Sequence, residues 1–357
     1  MNVQRNPVPA AWLRLACITT AVLALGLPAM ADAALSARDL DTQSLENKVT
    51  DDPHAASRES EAMLADAVKR SDKALQLRAL RLMVMATNQL EETFKLGKLA
   101  TDGLALAREL RDAQAECEFL SAKASTLASE GKYLDAQPVF DEAILVAEKA
   151  GLVRAATTVM VAKAFVYGLL GRDTDSLDML FKAHQRYVEL GDTQSARSTM
   201  SAIGNAYTHD RASREDLLKA LSYHQQSIPP DAEKSNRHEL ATVYFNMAVV
   251  YQRLKDLPKA RLYVQKSIAL YRSLNDPIGE AFGNYRLGVL AGDSGKWAEA
   301  LDYQDKAMPV LTRAGDATMI FNVQSARAKA FANLDRRRDS LDALAKADAI
   351  RSRIDST

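Results

Sequence analysis

The 357-residue chain balances 46 Lys and Arg against 46 Asp and Glu, so no net field draws it to nucleic acid or to an acidic membrane surface. It is 47% apolar but only 6% aromatic, which suits close packing of small side chains rather than one large ring-filled core. Its two cysteines exclude a disulfide-stapled scaffold.

In chain order, residues 1–33 come first. Arg5 and Arg14 precede an uncharged apolar stretch from Leu15 to Leu27, followed by Pro28 and the small-residue sites Ala29-Met30-Ala31 and Ala31-Asp32-Ala33. This is the three-part layout of a secretory signal peptide, too short to span a bilayer comfortably. It predicts cleavage and a periplasmic or secreted protein. Loss of residues 1–31 removes Arg5 and Arg14 and leaves 44 basic residues against 46 acidic ones. Cys17 departs with the leader, so Cys117 is the one thiol of the mature chain and is expected to be a buried packing residue. No second membrane segment is predicted. The most apolar later stretch, Thr157 to Gly171, carries Lys163 and reads as a deeply buried helix.

Residues 34–72 form a polar, acidic leader and a degenerate repeat, with a helix expected over Pro53 to Val68. From residue 73 to 357 a beat of forty residues takes over. Gly131-Lys132-Tyr133, Gly171-Arg172-Asp173, Lys255-Asp256-Leu257, Gly295-Lys296-Trp297 and Asp335-Arg336-Arg337 mark the same turn. After each turn a helix repeats a stripe such as Ala136-Phe140-Ala143, Ala220-His224-Ser227 and Ala300-Gln304-Ala307. Before each turn lies another helix with a small residue in mid-helix: Ala124, Ala164, Gly204, Ala248, Gly288 and Ala328. Such a hairpin is too small to bury its own core and must stack on its neighbours. The predicted fold is all-α: a right-handed superhelical solenoid of about six stacked antiparallel hairpins, forming one continuous domain. One interval, from Gly204 to Ala248, is 44 residues, with the surplus around residues 209–215 and 228–231.

Ile203-Gly204-Asn205-Ala206-Tyr207, Lys255-Asp256-Leu257-Pro258-Lys259-Ala260 and Gly295-Lys296-Trp297-Ala298-Glu299-Ala300-Leu301 resemble the tetratricopeptide repeat (TPR) consensus. The long period, with Gly191-Asp192, Asn275-Asp276-Pro277 and Gly315-Asp316 in place of the helix-ending proline, resembles the long-helix MalT-like variety. The exported array also resembles the periplasmic sensory region of bacterial receptors of the GGDEF diguanylate cyclase or histidine kinase type. That resemblance implies either a free-standing adaptor or the ligand-sensing part of a signalling receptor.

No catalytic or cofactor chemistry is predicted. His54, His184, His209, His224 and His238 are scattered, and His238-Glu239-Leu240-Ala241-Thr242 lacks the second histidine of a zinc-binding helix. Leu290 and Trp297 stand where a phosphate-cradling loop needs glycine and a hydroxyl, and no nucleophile-elbow motif occurs. The chain reads as a binding protein, not an enzyme.

The inner surface of a solenoid is lined by the first helix of each hairpin. Aligning those helices on the small residue sets Asn205, Asn246 and Arg286 on this track, flanked by Phe245, Phe282 and Tyr285. An Asn side chain both donates and accepts, which suits an extended peptide with free backbone groups. The three polar residues also resemble the carboxylate clamp of co-chaperone TPR domains, although Ser201 and Phe282 replace its lysines. The expectation is a protein or peptide partner on the concave groove, with no metal and no nucleic acid. A second expectation is self-association through the apolar flank Leu341, Leu344, Ile350 and Ile354 of the last helix.

Overall fold

In the computed structural model, residues 48–49, 52–90, 93–232 and 236–356 are described. The leader, with the signal-peptide features and their cleavage sites, lies outside them. Every regular element among the described residues is a helix. Lys48 and Val49 are helical, and fifteen longer helices follow: α1 (Pro53–Lys69), α2 (Lys73–Gln89), α3 (Thr93–Leu110), α4 (Ala113–Ser129), α5 (Tyr133–Lys149), α6 (Val153–Leu169), α7 (Asp173–Glu189), α8 (Thr193–Ala206), α9 (Arg214–Ser227), α10 (Arg237–Arg253), α11 (Leu257–Ser273), α12 (Pro277–Asp293), α13 (Trp297–Ala314), α14 (Ala317–Asn333) and α15 (Arg337–Ser356). From α2 onward they form seven successive pairs. The pair beyond the six marked in the sequence is α2/α3, where the Asn88-Gln89-Leu90 end of α2 carries neither a glycine nor a basic residue.

The true period is half the one visible in the sequence. A left-handed residue recurs every twenty positions: Arg111 (φ 57°), Gly131 (φ 78°), Gly151 (φ 71°), Gly171 (φ 70°) and Gly191 (φ 69°). A second run comprises Lys255 (φ 64°), Asn275 (φ 54°), Gly295 (φ 73°), Gly315 (φ 71°) and Asp335 (φ 57°). At each, the next amide reaches back across the helix end, as Lys132 N does to Leu127 O at 2.9 Å and Asp256 N to Tyr251 O at 2.9 Å. Together with Gly131 N to Ala128 O at 3.1 Å, this is the Schellman arrangement that satisfies the last carbonyls of a helix. The residue after the left-handed one then caps the next helix. The Asp112, Asp256, Asp276 and Asp316 carboxylates accept the N3 amide at 2.9, 3.1, 2.8 and 2.8 Å. One short turn therefore ends one helix and starts the next, and most helices come out at seventeen residues.

The chain gathers into two compact units, one ending at Thr199 and the other beginning at Met200. Where the sequence reads as one continuous domain, the division falls inside α8, in the hairpin of the lengthened repeat. In the first unit, α4 and α6 are buried on nearly every side, with Phe119, Leu120 and Val159 at 0–1% exposure, and Phe140 of α5 is buried with them. Cys117 is buried among them, and burial pushes its thiol up to about 12. Lys163 of α6 is buried too and is paired with Asp141. In the second unit one core cluster lies around Ala248, Val264 and Leu287, and another around Tyr285, Leu311 and Val323.

The lengthened repeat is ordered by packing. Pro229 and Ala232 are buried, and Ser213 and Asp216 form a reciprocal capping box at the start of α9. Arg253 at the end of α10 closes the other side. Its Nη1 donates to the carbonyls of Thr208 at 2.5 Å and His209 at 2.7 Å, and its Nη2 donates to that of Asp210 at 3.0 Å. Arg253 thus takes the place of the usual turn at the end of the shortened α8.

Candidate functional site

All six candidate residues fall in the second unit, on α8, α10 and α12. Asn205 is half-buried one residue before the end of α8, and its carbonyl accepts the Thr208 amide at 2.9 Å. Asn246 is half-buried on α10; its Nδ2 is fully shielded and has no hydrogen-bond partner among the described residues. Arg286 on α12 is 6% exposed. Its guanidinium lies 5.4 Å from the Phe245 ring centroid, and its Nη1 donates to Gln252 Oε1 at 3.1 Å. Gln252 Nε2 in turn donates to Asp293 Oδ2 at 2.7 Å. Burial lowers the Arg286 pKa, opposed by Tyr285 and Asp293, so the cation carries a desolvation cost that this chain of partners offsets.

The structure therefore brings Arg286 and Phe245 together and ties α10 to α12 through Gln252. Arg253 ties α10 to the segment following α8. The flanking aromatics are placed differently from expectation. Phe245 and Tyr285 are only 6% and 7% exposed, and Phe282 packs half-buried against the cluster containing Met319 and Val323. Most of their surface serves the core, and the polar edge of the site is carried by Asn205, Asn246 and the Arg286–Gln252–Asp293 chain. Gln252, Arg253 and Asp293 escaped the sequence reading.

A signal for them is present in the repeat register. At the position two before the small mid-helix residue the other hairpins carry Ala122, Ala162, Ala202 and Ala326, and only Asn246 and Arg286 are polar. Two polar side chains at a position otherwise reserved for alanine, in adjacent repeats, need partners that alanine does not. Gln252 and Asp293 sit one to two helical turns further along the same helices, within reach of that position.

Among the described residues no group of three His, Cys, Asp or Glu side chains converges as a metal site, and no helix is long and apolar enough to cross a membrane.

No family model and no curated protein sequence matches this chain. Solved structures do. A Rap protein complexed with competence and sporulation factor is 13% identical, with a TM-score of 0.67 over 96% of each chain. Aspartyl phosphate phosphatase F from Bacillus subtilis is 14% identical, with a TM-score of 0.60 over 98% of this chain and 96% of its own. NprR in complex with its cognate peptide NprX is 13% identical, with a TM-score of 0.58 over 88% of this chain and 89% of its own. At these identities the likeness is one of fold. Seven successive helix pairs, and these neighbours, establish a TPR-like helical-repeat fold.

Proposed function

We propose that this chain is an exported, non-enzymatic TPR scaffold that binds an extended peptide or protein segment along the first-helix face of its second unit. The observation that carries the reading is Asn246: a half-buried amide side chain at a register position that is alanine in four other repeats, with no hydrogen-bond partner for its Nδ2 among the described residues. Asn205 offers a second amide, and the Arg286–Gln252–Asp293 chain gives the face a fixed polar edge. Support also comes from fold neighbours solved with competence and sporulation factor and with the peptide NprX. Export rests on the order of basic, apolar and small-residue segments in residues 1–33.

The test is a pull-down from periplasmic extract with the mature chain, using Asn246→Ala as the control. The variant is expected to lose a peptide partner by about tenfold in affinity, the value of one or two buried hydrogen bonds. Helicity and melting temperature should stay as they were. Equal capture by both proteins would place the partner on another face, and loss of folding would make Asn246 structural. Recovery of a full-length cytoplasmic product would defeat the export part of the reading.

A further inference from the structure

A trough of about 620 Å³ lies between α11 and α13, over α12, on the side of the second unit opposite to the alanine register position described above. Its floor is apolar: Ile268, Ala281 and Leu287 are 8%, 1% and 4% exposed. The sequence explains why a trough opens here. One repeat earlier the corresponding place is filled by Tyr244, packed edge-on against Tyr263 at 5.6 Å. In α12 that position is Asn284, and the smaller side chain leaves the space between the neighbouring helices open.

The polar groups of the trough are unevenly matched. Arg272 and Glu280 pair with each other at one end. Lys306 stands 5.1 Å from the Tyr303 ring centroid and makes no ion pair among the described residues. Asn284 makes no side-chain hydrogen bond among the described residues. The trough thus offers one uncompensated cation, one vacant amide and an apolar floor, all on one open channel.

We propose that this trough is a second docking surface, for an extended segment of another protein that carries a carboxylate beside an apolar side chain. The carboxylate meets Lys306, whose ammonium already rests on an aromatic face. The segment's backbone meets the Asn284 amide, which both donates and accepts, and the apolar side chain covers Ile268 and Leu287. An enclosed site would suit a small molecule, whereas a channel open along one side suits a chain lying in it. The proposal stands on different residues from the Asn246 face and does not depend on it.

Fluorescence anisotropy with a labelled decapeptide of alternating glutamate and leucine tests it, with the matching lysine and leucine peptide as control. The acidic peptide should bind and weaken as salt rises. Lys306→Glu should weaken it about tenfold and Asn284→Ala about threefold, while Lys346→Glu, an exposed charge reversal outside the trough, leaves it unchanged. Lys306 is exposed, so its substitution does not endanger the fold. Absence of binding, equal binding of the basic peptide, indifference to Lys306→Glu, or an equal loss on Lys346→Glu would each overturn the proposal.

Discussion

Gly204 and Gly288 show how single residues tune a shared packing plan. A Cβ on Gly204 would lie 2.8–2.9 Å from the ring of His224, which is fully buried, and one on Gly288 would lie 3.2 Å from Gln304 Cγ. The repeats with alanine at this position instead carry Phe140, Leu180, Val264 and Leu344 at the matching place of the second helix. Glycine thus accompanies the two polar partners. Gly204→Ala should cost about 1–3 kcal/mol by overpacking, and Gly204→Ala combined with His224→Val should recover much of that loss because it recreates the Ala248/Val264 pair. Chemical denaturation of the two variants measures both effects. His224 also makes stability pH-dependent. Burial pushes its pKa from 6.5 down to about 3, with the Ser201 hydroxyl 3.5 Å from its Nδ1. Below about pH 6.5 the unfolded chain takes up a proton that the folded chain refuses, so stability falls as pH drops toward 3 by about 1.4 kcal/mol per unit and is complete above 6.5. His224→Gln should flatten the wild-type slope between pH 4 and 6 in parallel urea titrations.

At the scale of the element, the turn decides helix length. Five of the described left-handed positions are not glycine, and Lys255, at φ 64°, is exposed. An L-residue held there is strained by about 1 kcal/mol, so Lys255→Gly should raise the unfolding free energy by roughly that amount. A midpoint unchanged or lowered in urea would show that Lys255 has a contact outweighing its backbone strain. Much of the turn code was legible: the Gly-Lys and Gly-Arg marks lay where helices end. The twenty-residue period was not, because the alternate turns at Arg111, Gly151, Gly191, Asn275 and Gly315 are followed by Asp or Leu, whereas most of the marked turns carry Lys or Arg there. Arg253 escaped for another reason, since a side chain that caps the end of a helix more than forty residues away leaves no local pattern.

At the scale of the whole molecule, stacking supplies nearly all the stability. Ion pairs join successive repeats, such as Arg81–Glu118, Arg261–Glu299 and Arg186–Glu148, but all except the first are well solvated and each is worth little. The apolar faces do the rest, and the last helix leaves part of its own uncovered: Leu341 is 68% and Leu344 44% exposed. The expected consequence is self-association through this flank. Sedimentation of the chain over a hundredfold concentration range should show a rising mass that Leu341→Glu and Leu344→Glu together abolish, and a constant monomer mass in the unaltered chain would contradict it.

The sequence by itself determined the helices, their pairing and the repeat fold, because each hairpin restates the same local pattern and touches mainly the hairpins on either side. It also placed Asn205, Asn246 and Arg286 on one set of first helices. Only the tertiary structure decided what those side chains have to bond with. Arg286 is held by Gln252, which is itself bonded to Asp293, Phe245 and Tyr285 are drawn into packing, and the shielded Asn246 Nδ2 has no hydrogen-bond partner among the described residues. The division follows from range: helix and turn are set by neighbours in sequence, whereas the partner of a buried polar group is set by whichever helix packs across from it.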